Sequence, residues 1–381
     1  MVVEININDI YDKNLNFLIG SGASAGLFPT LALKIKCEKG TTQTIETLAK
    51  LFENDRSVYT MLFMHYYKTC IEPIVSFELN QVIANPSQKQ VVENYRRFIE
   101  TILTILDRKQ DPKSCNIFTG NYDGCFAHIT DDLLKHGHID FMVNDGTRGF
   151  FKRHLQARNF NSYLSQTGIF GGNCTVIPQI NLIHLHGSIY WKNEAGDKII
   201  VDYAQKHSKI RINDVQLQPF SDALLNEDET LANLKNISLE GLEENPFWEN
   251  YNKIPIVNPT KWKFHETVFE EHYYQMLRCL SYELEKQNTV LIAFGFSFAD
   301  EHITNLIKRS LANKSLMVYI FCFNKAHYEN IHKLFSIYKN VKPIHLDHEN
   351  LDFSAFNEIL FSSLKKAEKA ESNKLKVKKP V

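Results

Sequence analysis

Four short apolar runs, Asn16 to Ile19, Asn116 to Phe118, Leu182 to Leu185 and Thr289 to Phe294, each stop at small or polar residues. Unbroken apolar character over so few positions marks strands buried on both faces, and the polar stop marks a loop leaving the sheet. Leu316 to Cys322 and Val341 to Leu346 extend the series. Between the runs the period becomes helical. Val91, Val92, Tyr95, Phe98, Ile99, Ile102 and Leu106 recur at three- and four-residue spacing, as do Val268, Phe269, Tyr273, Met276, Leu277, Leu280 and Leu284. Strands alternating with helices predict an α/β fold, a Rossmann-like and mostly parallel sheet with helices on both faces.

The strands are unevenly spaced. The first two runs lie far further apart than one crossover helix needs, so residues 37–109 are expected to form a helical insertion with Met61, Phe63, Tyr66, Tyr67 and Phe77 packed inside it. A second insertion, 191–262, is rich in Asn, Asp and Glu and closes with Pro246, Pro255 and Pro259, which reads as loops and short helices draped over the sheet. The main domain then comprises 1–36 and 110–364. Residues 365–381 hold seven lysines with little apolar content and read as a flexible basic tail.

At 381 residues and 44% hydrophobic content, the chain can bury a sizeable core and is long enough for one large domain or two unequal ones. Lys and Arg number 43 against 44 for Asp and Glu, so no global field draws it to nucleic acid or an anionic membrane, and direct nucleic-acid binding is not indicated. No stretch approaches the roughly 18 apolar residues of a membrane span, and Met1 to Asp12 has no leader pattern, so no membrane contact and a cytoplasmic location are expected. The cysteines, Cys37, Cys70, Cys115, Cys125, Cys174, Cys279 and Cys322, are scattered and never spaced Cys-x-x-Cys, which argues against a disulfide framework and a zinc ribbon. His128, His136 and His138 match no zinc spacing and read as a solvated helix end, so no metal is expected.

The chemistry-bearing residues stand where the runs stop. The first ends in Gly20-Ser21-Gly22-Ala23-Ser24. Small residues there let backbone amides approach a diphosphate, and a helix starting just beyond would add its positive end; a tight turn is the other reading. Thr119-Gly120-Asn121-Tyr122-Asp123 follows the second run, His186-Gly187-Ser188 the third, and Gly295-Phe296-Ser297-Phe298-Ala299-Asp300 the fourth. In an open parallel sheet the carboxyl ends of neighbouring strands face one crevice, so these loops converge.

In this order the four segments resemble the sirtuin family, whose pattern runs Gly-Ala-Gly-x-Ser, Thr-Gln-Asn-x-Asp, His-Gly and Gly-x-Ser. The resemblance implies NAD as the bound substrate, with its phosphates at Gly20, Ser21, Gly22, Ala23 and Ser24 and its adenosine half along Gly295 and Ser297. It places the nicotinamide ribose and the attacking water at Asn121, the nicotinamide carboxamide at Asp123 and the catalytic base at His186, with Thr119 and Gly187 in the same pocket. His184 is assigned to the core, because Gly follows His186 instead. Tyr122 and Phe296 read as packing residues. Asp300 either caps the helix starting near Glu301 or contacts the cofactor.

Departures from the family pattern narrow the reading. There are no Cys-x-x-Cys pairs, Leu27-Phe28-Pro29 replaces Gly-Ile-Pro with no Arg after it, Gly120 stands in place of Gln, and no strand matches the one that pairs with an acyl-lysine peptide. The chain is therefore more similar to the bacterial sirtuin-like proteins of anti-phage defence, which destroy NAD and often join Argonaute-associated proteins or HerA-type hexameric ATPases. An NAD glycohydrolase is expected, releasing nicotinamide and ADP-ribose or a cyclised product, controlled by homo-oligomer formation or such a partner. Nicotinamide is a cationic leaving group that departs neutral, so an amide that orients water and an imidazole that takes its proton suffice without a metal. Two alternatives stay open, a protein deacylase or ADP-ribosyltransferase and a noncatalytic scaffold that senses NAD or ADP-ribose.

Overall fold

The computed structural model describes residues 10, 12–38, 40–109, 112–137, 139–167, 174–194, 198–204, 209–259 and 271–361. His138, Val268, Phe269 and the basic tail 365–381 lie outside them. The apolar runs become strands β1 (Asn14–Ile19), β2 (Ser114–Thr119), β4 (Gln179–His184), β5 (Thr289–Phe294), β6 (Leu316–Phe321) and β7 (Val341–Ile344), joined by a further strand β3 (Met142–Asn144). They form one sheet in the order β7-β6-β5-β1-β2-β4-β3. Every pairing in it is parallel. All residues of β4 and β5 are buried, as two covered faces require.

From β1 the chain steps to β2 in one direction, and from β5 through β6 to β7 in the other. Right-handed crossovers running in opposite directions put their helices on opposite faces. Accordingly helix Pro86–Arg108 packs with Cys125–His136, and Glu271–Glu285 packs with Glu301–Ser310. The direction reverses between β1 and β5, so the loops leaving the carboxyl ends of these two strands flank the crevice where open α/β sheets hold ligands.

A polar ladder crosses the middle of this apolar sheet. Asn16, Asn116 and Asn181 stand side by side in register on β1, β2 and β4. Asn116 donates to Asn16 at 2.8 Å, Asn181 donates to Asn116 at 2.7 Å, and Gln179 donates to Asn181 at 2.8 Å. Buried amides are costly unless paired, and these pair with one another.

Residues 37–109 serve two cores. Helix Pro86–Arg108 begins at Asn85, whose side chain accepts from the Ser87 amide, with proline at its first position. It buries Val91, Tyr95, Phe98 and Ile102 against the sheet, where Phe98 meets Phe17 edge-on at 5.1 Å. Helix Arg56–Tyr66, capped by Asp55, turns Met61, Phe63 and Tyr66 into a second core, which Tyr67 also joins. Phe220, Phe247 and Tyr251, from helices Asp214–Leu224 and Glu244–Tyr251, complete that core. Two stretches distant in sequence thus build one helical lobe. Phe77 departs from the expected packing: its ring faces Phe28 at 5.5 Å and His128 at 5.1 Å, on the side of the sheet core. No described helix is long and apolar enough to cross a membrane.

Candidate functional site

The loops after β1 and β5 are interlocked. The Gly20 amide donates to Phe294 O at 3.0 Å, that of Gly22 to Gly295 O at 2.9 Å, and that of Ala23 back to Gly20 O at 3.0 Å. A Cβ on Gly22 would lie 2.7 Å from the Gly295 Cα. Gly295 itself has φ +65°, and a Cβ there would lie 2.5 Å from the Ala23 nitrogen. Close approach of two backbones is therefore one reason for glycine at these places. The helix expected beyond this loop is replaced by a single 3-10 turn, Ser21–Ser24, and the chain next enters a strand at Ala32–Lys36. Its short turn supplies no helix dipole, so a phosphate here would rely on the exposed edge at Ser21 and Gly22. Ser297 is exposed, and its hydroxyl accepts from the Ala299 amide at 3.3 Å.

The loop after β2 folds onto the first. Thr119 donates its hydroxyl to Ile19 O at 2.9 Å and accepts from the Asn121 amide at 3.0 Å. The Asn121 side-chain NH2 donates to Gly20 O at 3.2 Å and to Ser24 Oγ at 3.4 Å. Ser24 donates to Asp123 Oδ2 at 2.8 Å, and its hydroxyl lies 2.7 Å from that of Tyr95. The other oxygen of Asp123 accepts from the Cys125 amide at 3.1 Å, where helix Cys125–His136 begins. The structure thus brings Ser24, Asn121 and Asp123 together in one buried network, and Tyr95, reached from the helix Pro86–Arg108, closes it. Burial, and then the neighbouring Asp123 charge, push the Tyr95 phenol well above its ordinary pKa, so it stays a proton donor.

Both histidines of the β4 end are buried. His184 is buried with Nδ1 3.1 Å from Asn121 O, and burial lowers its pKa, which leaves it a neutral core residue supporting the Asn121 loop. His186 is buried beside Gly120, where a Cβ would lie 3.3 Å from its Nδ1. Gly187 follows with φ +83°, where a Cβ would overlap the Pro255 carbonyl, and the chain leaving the helical lobe is fastened here by a bond from the Val257 amide to His186 O at 2.9 Å. Tyr122 donates to Val257 O at 2.6 Å, a packing and anchoring role.

Asp300 corrects the capping expectation. It occupies the N-cap position of helix Glu301–Ser310, yet its side chain makes no capping hydrogen bond. One carboxylate oxygen lies 2.9 Å from His186 Nε2 and the other 2.7 Å from His302 Nδ1, all three side chains being buried. The distances are those of ion pairs, without the alignment of hydrogen bonds. His302 was not singled out by the sequence; its signal was the Asp-Glu-His spacing after the Gly-x-Ser segment. The three side chains also offer ligand atoms within 4.8 Å of one another, a grouping a metal ion could use and one that the metal-free expectation does not foresee. His128 is half-buried and meets Tyr190 OH at 3.0 Å, whereas His136 is solvated.

A cavity of about 1120 Å³ opens beside Asp300 and His302, walled by Thr44, Tyr274, Arg278 and Arg309 among others. None of Gly20 to Ser24 is among its described lining residues. The aromatic residues of the β5 loop are packing residues: Phe296 and Phe298 meet edge-on at 5.1 Å, and Phe298 is held at φ +59°, a conformation bulky side chains rarely adopt.

No family model matches the chain, and no curated protein matches it. Among the solved structures it resembles is a Sir2 homologue, a triple mutant in complex with 2'-O-acetyl ADP ribose. The two are 14% identical, with 94% of this chain and 96% of that one covered, at a TM-score of 0.41.

Proposed function

We propose that the chain hydrolyses NAD at the bond between nicotinamide and ribose, releasing nicotinamide and ADP-ribose. The observation that carries the reading is the buried pair of His186 and Asp300 at the carboxyl end of the sheet, next to the loop bearing Asn121. The order of the four loop segments, similar to that of sirtuins, adds the substrate class. In the proposed reaction the oxygen of water bonds to the ribose C1′ as the C1′–N bond breaks. The electron pair of that bond goes to the nicotinamide nitrogen, which leaves neutral, and the proton of the water goes to His186. A positioned base of this kind contributes on the order of 10²- to 10⁴-fold in rate.

The lack of Cys-x-x-Cys pairs in the sequence favours water over a protein acceptor. Similarity to the defence proteins extends the proposal to NAD depletion in anti-phage defence, in the cytoplasm, with activity controlled by a homo-oligomer or a HerA-type hexameric ATPase. Incubating purified protein with NAD, alone and with the product of its genomic neighbour, followed by chromatography of the nucleotides, tests this. Nicotinamide and ADP-ribose in stoichiometric amounts without any protein acceptor are expected. Turnover only in the presence of an acylated or ADP-ribose-accepting protein would replace hydrolysis by transfer, and binding with no turnover in either condition would leave a sensing scaffold.

A further inference from the structure

We propose that the hairpin tip bearing Phe150 and Phe151 seats in the large cavity of a second copy of this chain, so that copies join head to tail. The inference rests on the homo-oligomer reading above and not on the hydrolysis of NAD. The two side chains are 101% and 105% exposed, at the turn of an antiparallel hairpin formed by Thr147–Arg148 and His154–Leu155. A single exposed apolar side chain is ordinary, but two in succession present roughly 300–500 Å² of apolar surface, a patch of the size that marks a contact site. The hairpin holds them out firmly. Arg153 donates to the buried Asp145 carboxylate at 3.0 Å, the Thr147 hydroxyl donates to the same carboxylate at 2.6 Å, and the Val201 amide donates to Arg153 O at 2.9 Å. Little backbone ordering then opposes docking.

The receiving surface lies elsewhere on the same chain. The cavity of about 1120 Å³ has Leu277 and Leu306 in its walls together with the exposed rings of Tyr274 and Tyr282, contributed by helices Glu271–Glu285 and Glu301–Ser310. Aromatic anchors seated in pockets of this kind carry most of the energy of protein contacts. Charge matches as well. Residues 148–153 hold Arg148, Lys152 and Arg153 and no acidic residue, whereas the cavity is walled by four carboxylates, Glu46, Glu285, Asp300 and Glu301, against Arg278 and Arg309. Both of these arginines are engaged within the wall: Arg309 donates to Ser281 Oγ at 2.8 Å, and Arg278 lies over the Tyr274 ring at 5.8 Å. On the hairpin, Lys152 and Arg153 share their charge with Glu194 and Asp145, while Arg148 meets a neutral group, the Ser162 hydroxyl. Tip and cavity are different surfaces, so the contact is heterologous: repeated, it builds a ring or a filament, and an isolated pair leaves one tip and one cavity unfilled.

Light scattering on the full-length protein, which needs no NAD turnover, tests this with two variants. One carries Phe150→Ser and Phe151→Ser and keeps its cavity; the other carries Tyr282→Arg, which removes a wall ring and repels the basic flank, and keeps its tip. All three positions are exposed, so both variants should fold, which circular dichroism checks. The wild type is expected to gain mass beyond a dimer as its concentration rises, and each variant alone should associate at least about 30-fold more weakly. Mixing the two variants should restore association to a dimer and no further, because only one intact tip meets one intact cavity. A wild type that stays monomeric at about 100 μM removes the homo-oligomer itself and the proposal with it. A wild-type oligomer that the serine substitutions leave intact, or a mixture that stays monomeric, overturns the tip-in-cavity contact alone. So does a monomeric wild type that sediments with phosphatidylserine vesicles through its two phenylalanines, an outcome that would give the tip to a membrane surface.

Discussion

The Gly22 amide donates to the Gly295 carbonyl at 2.9 Å, joining the loops of β1 and β5 backbone to backbone. Gly295→Ala should break this joint, because φ +65° disfavours a side chain and the new Cβ would lie 2.5 Å from the Ala23 nitrogen. A loss of at least about 2 kcal/mol is expected from the strain and the clash together. Chemical denaturation measures it; an unchanged midpoint would mean that the two loops do not touch in solution.

Asn121→Ala should lower nicotinamide release by about 100-fold or more, since the residue is proposed to orient the attacking water. The variant also loses the bonds to Gly20 O and Ser24 Oγ, at a cost of about 1 kcal/mol. Single-turnover kinetics separates the two effects. Full turnover by the variant would remove Asn121 from the chemistry.

Tyr95→Phe removes one hydroxyl from a buried chain of three groups, Tyr95, Ser24 and Asp123. Ser24 still has Asp123 as acceptor, so a loss of about 1 kcal/mol is expected, with NAD turnover nearly unchanged. A large fall in kcat at unaltered stability would show instead that Tyr95 acts on the substrate.

His65 makes the helical lobe sensitive to acid. Burial lowers its pKa to about 4, and its Nδ1 lies 2.8 Å from Ser221 Oγ on the helix Asp214–Leu224. The unfolded chain takes up this proton near pH 6.5 and the folded chain only near 4, so the stabilisation present above pH 6.5 is lost as the pH falls toward 4. The full difference is at most about 3.5 kcal/mol at roughly 1.4 kcal/mol per pH unit. Urea titrations at pH 7 and pH 4.5 should show His65→Asn losing less stability over this interval than the wild type. Parallel losses in the two proteins would contradict the assignment.

The strands with long apolar runs were legible because burial on both faces leaves no polar position to confuse the pattern, and Thr289–Phe294 begins and ends where the sequence places it. Strand Met142–Asn144 was not, since three residues at the sheet edge carry no periodicity. The joining of 56–66 with 214–251 into one lobe escaped for another reason: local pattern says which face of a helix is apolar, not which distant helix covers it. At the site, glycines and short polar segments announced the loops. The partnership of Asp300 with His186 was hidden because an aspartate before a helix is explained so readily as a cap, and only the fold shows which imidazoles stand opposite it.

The amide ladder through Asn16, Asn116 and Asn181 lies a few residues below Gly20, Asn121 and His186 on the same three strands. Apolar side chains in neighbouring parallel strands interlock loosely enough to be exchanged or shifted by two positions while keeping their faces buried, whereas amides joined in series have only one alignment. The ladder acts as an index mark that sets the relative height of the three loops. Grafting those loops onto another parallel sheet would therefore transfer their sequence without their alignment, unless the three asparagines were carried along.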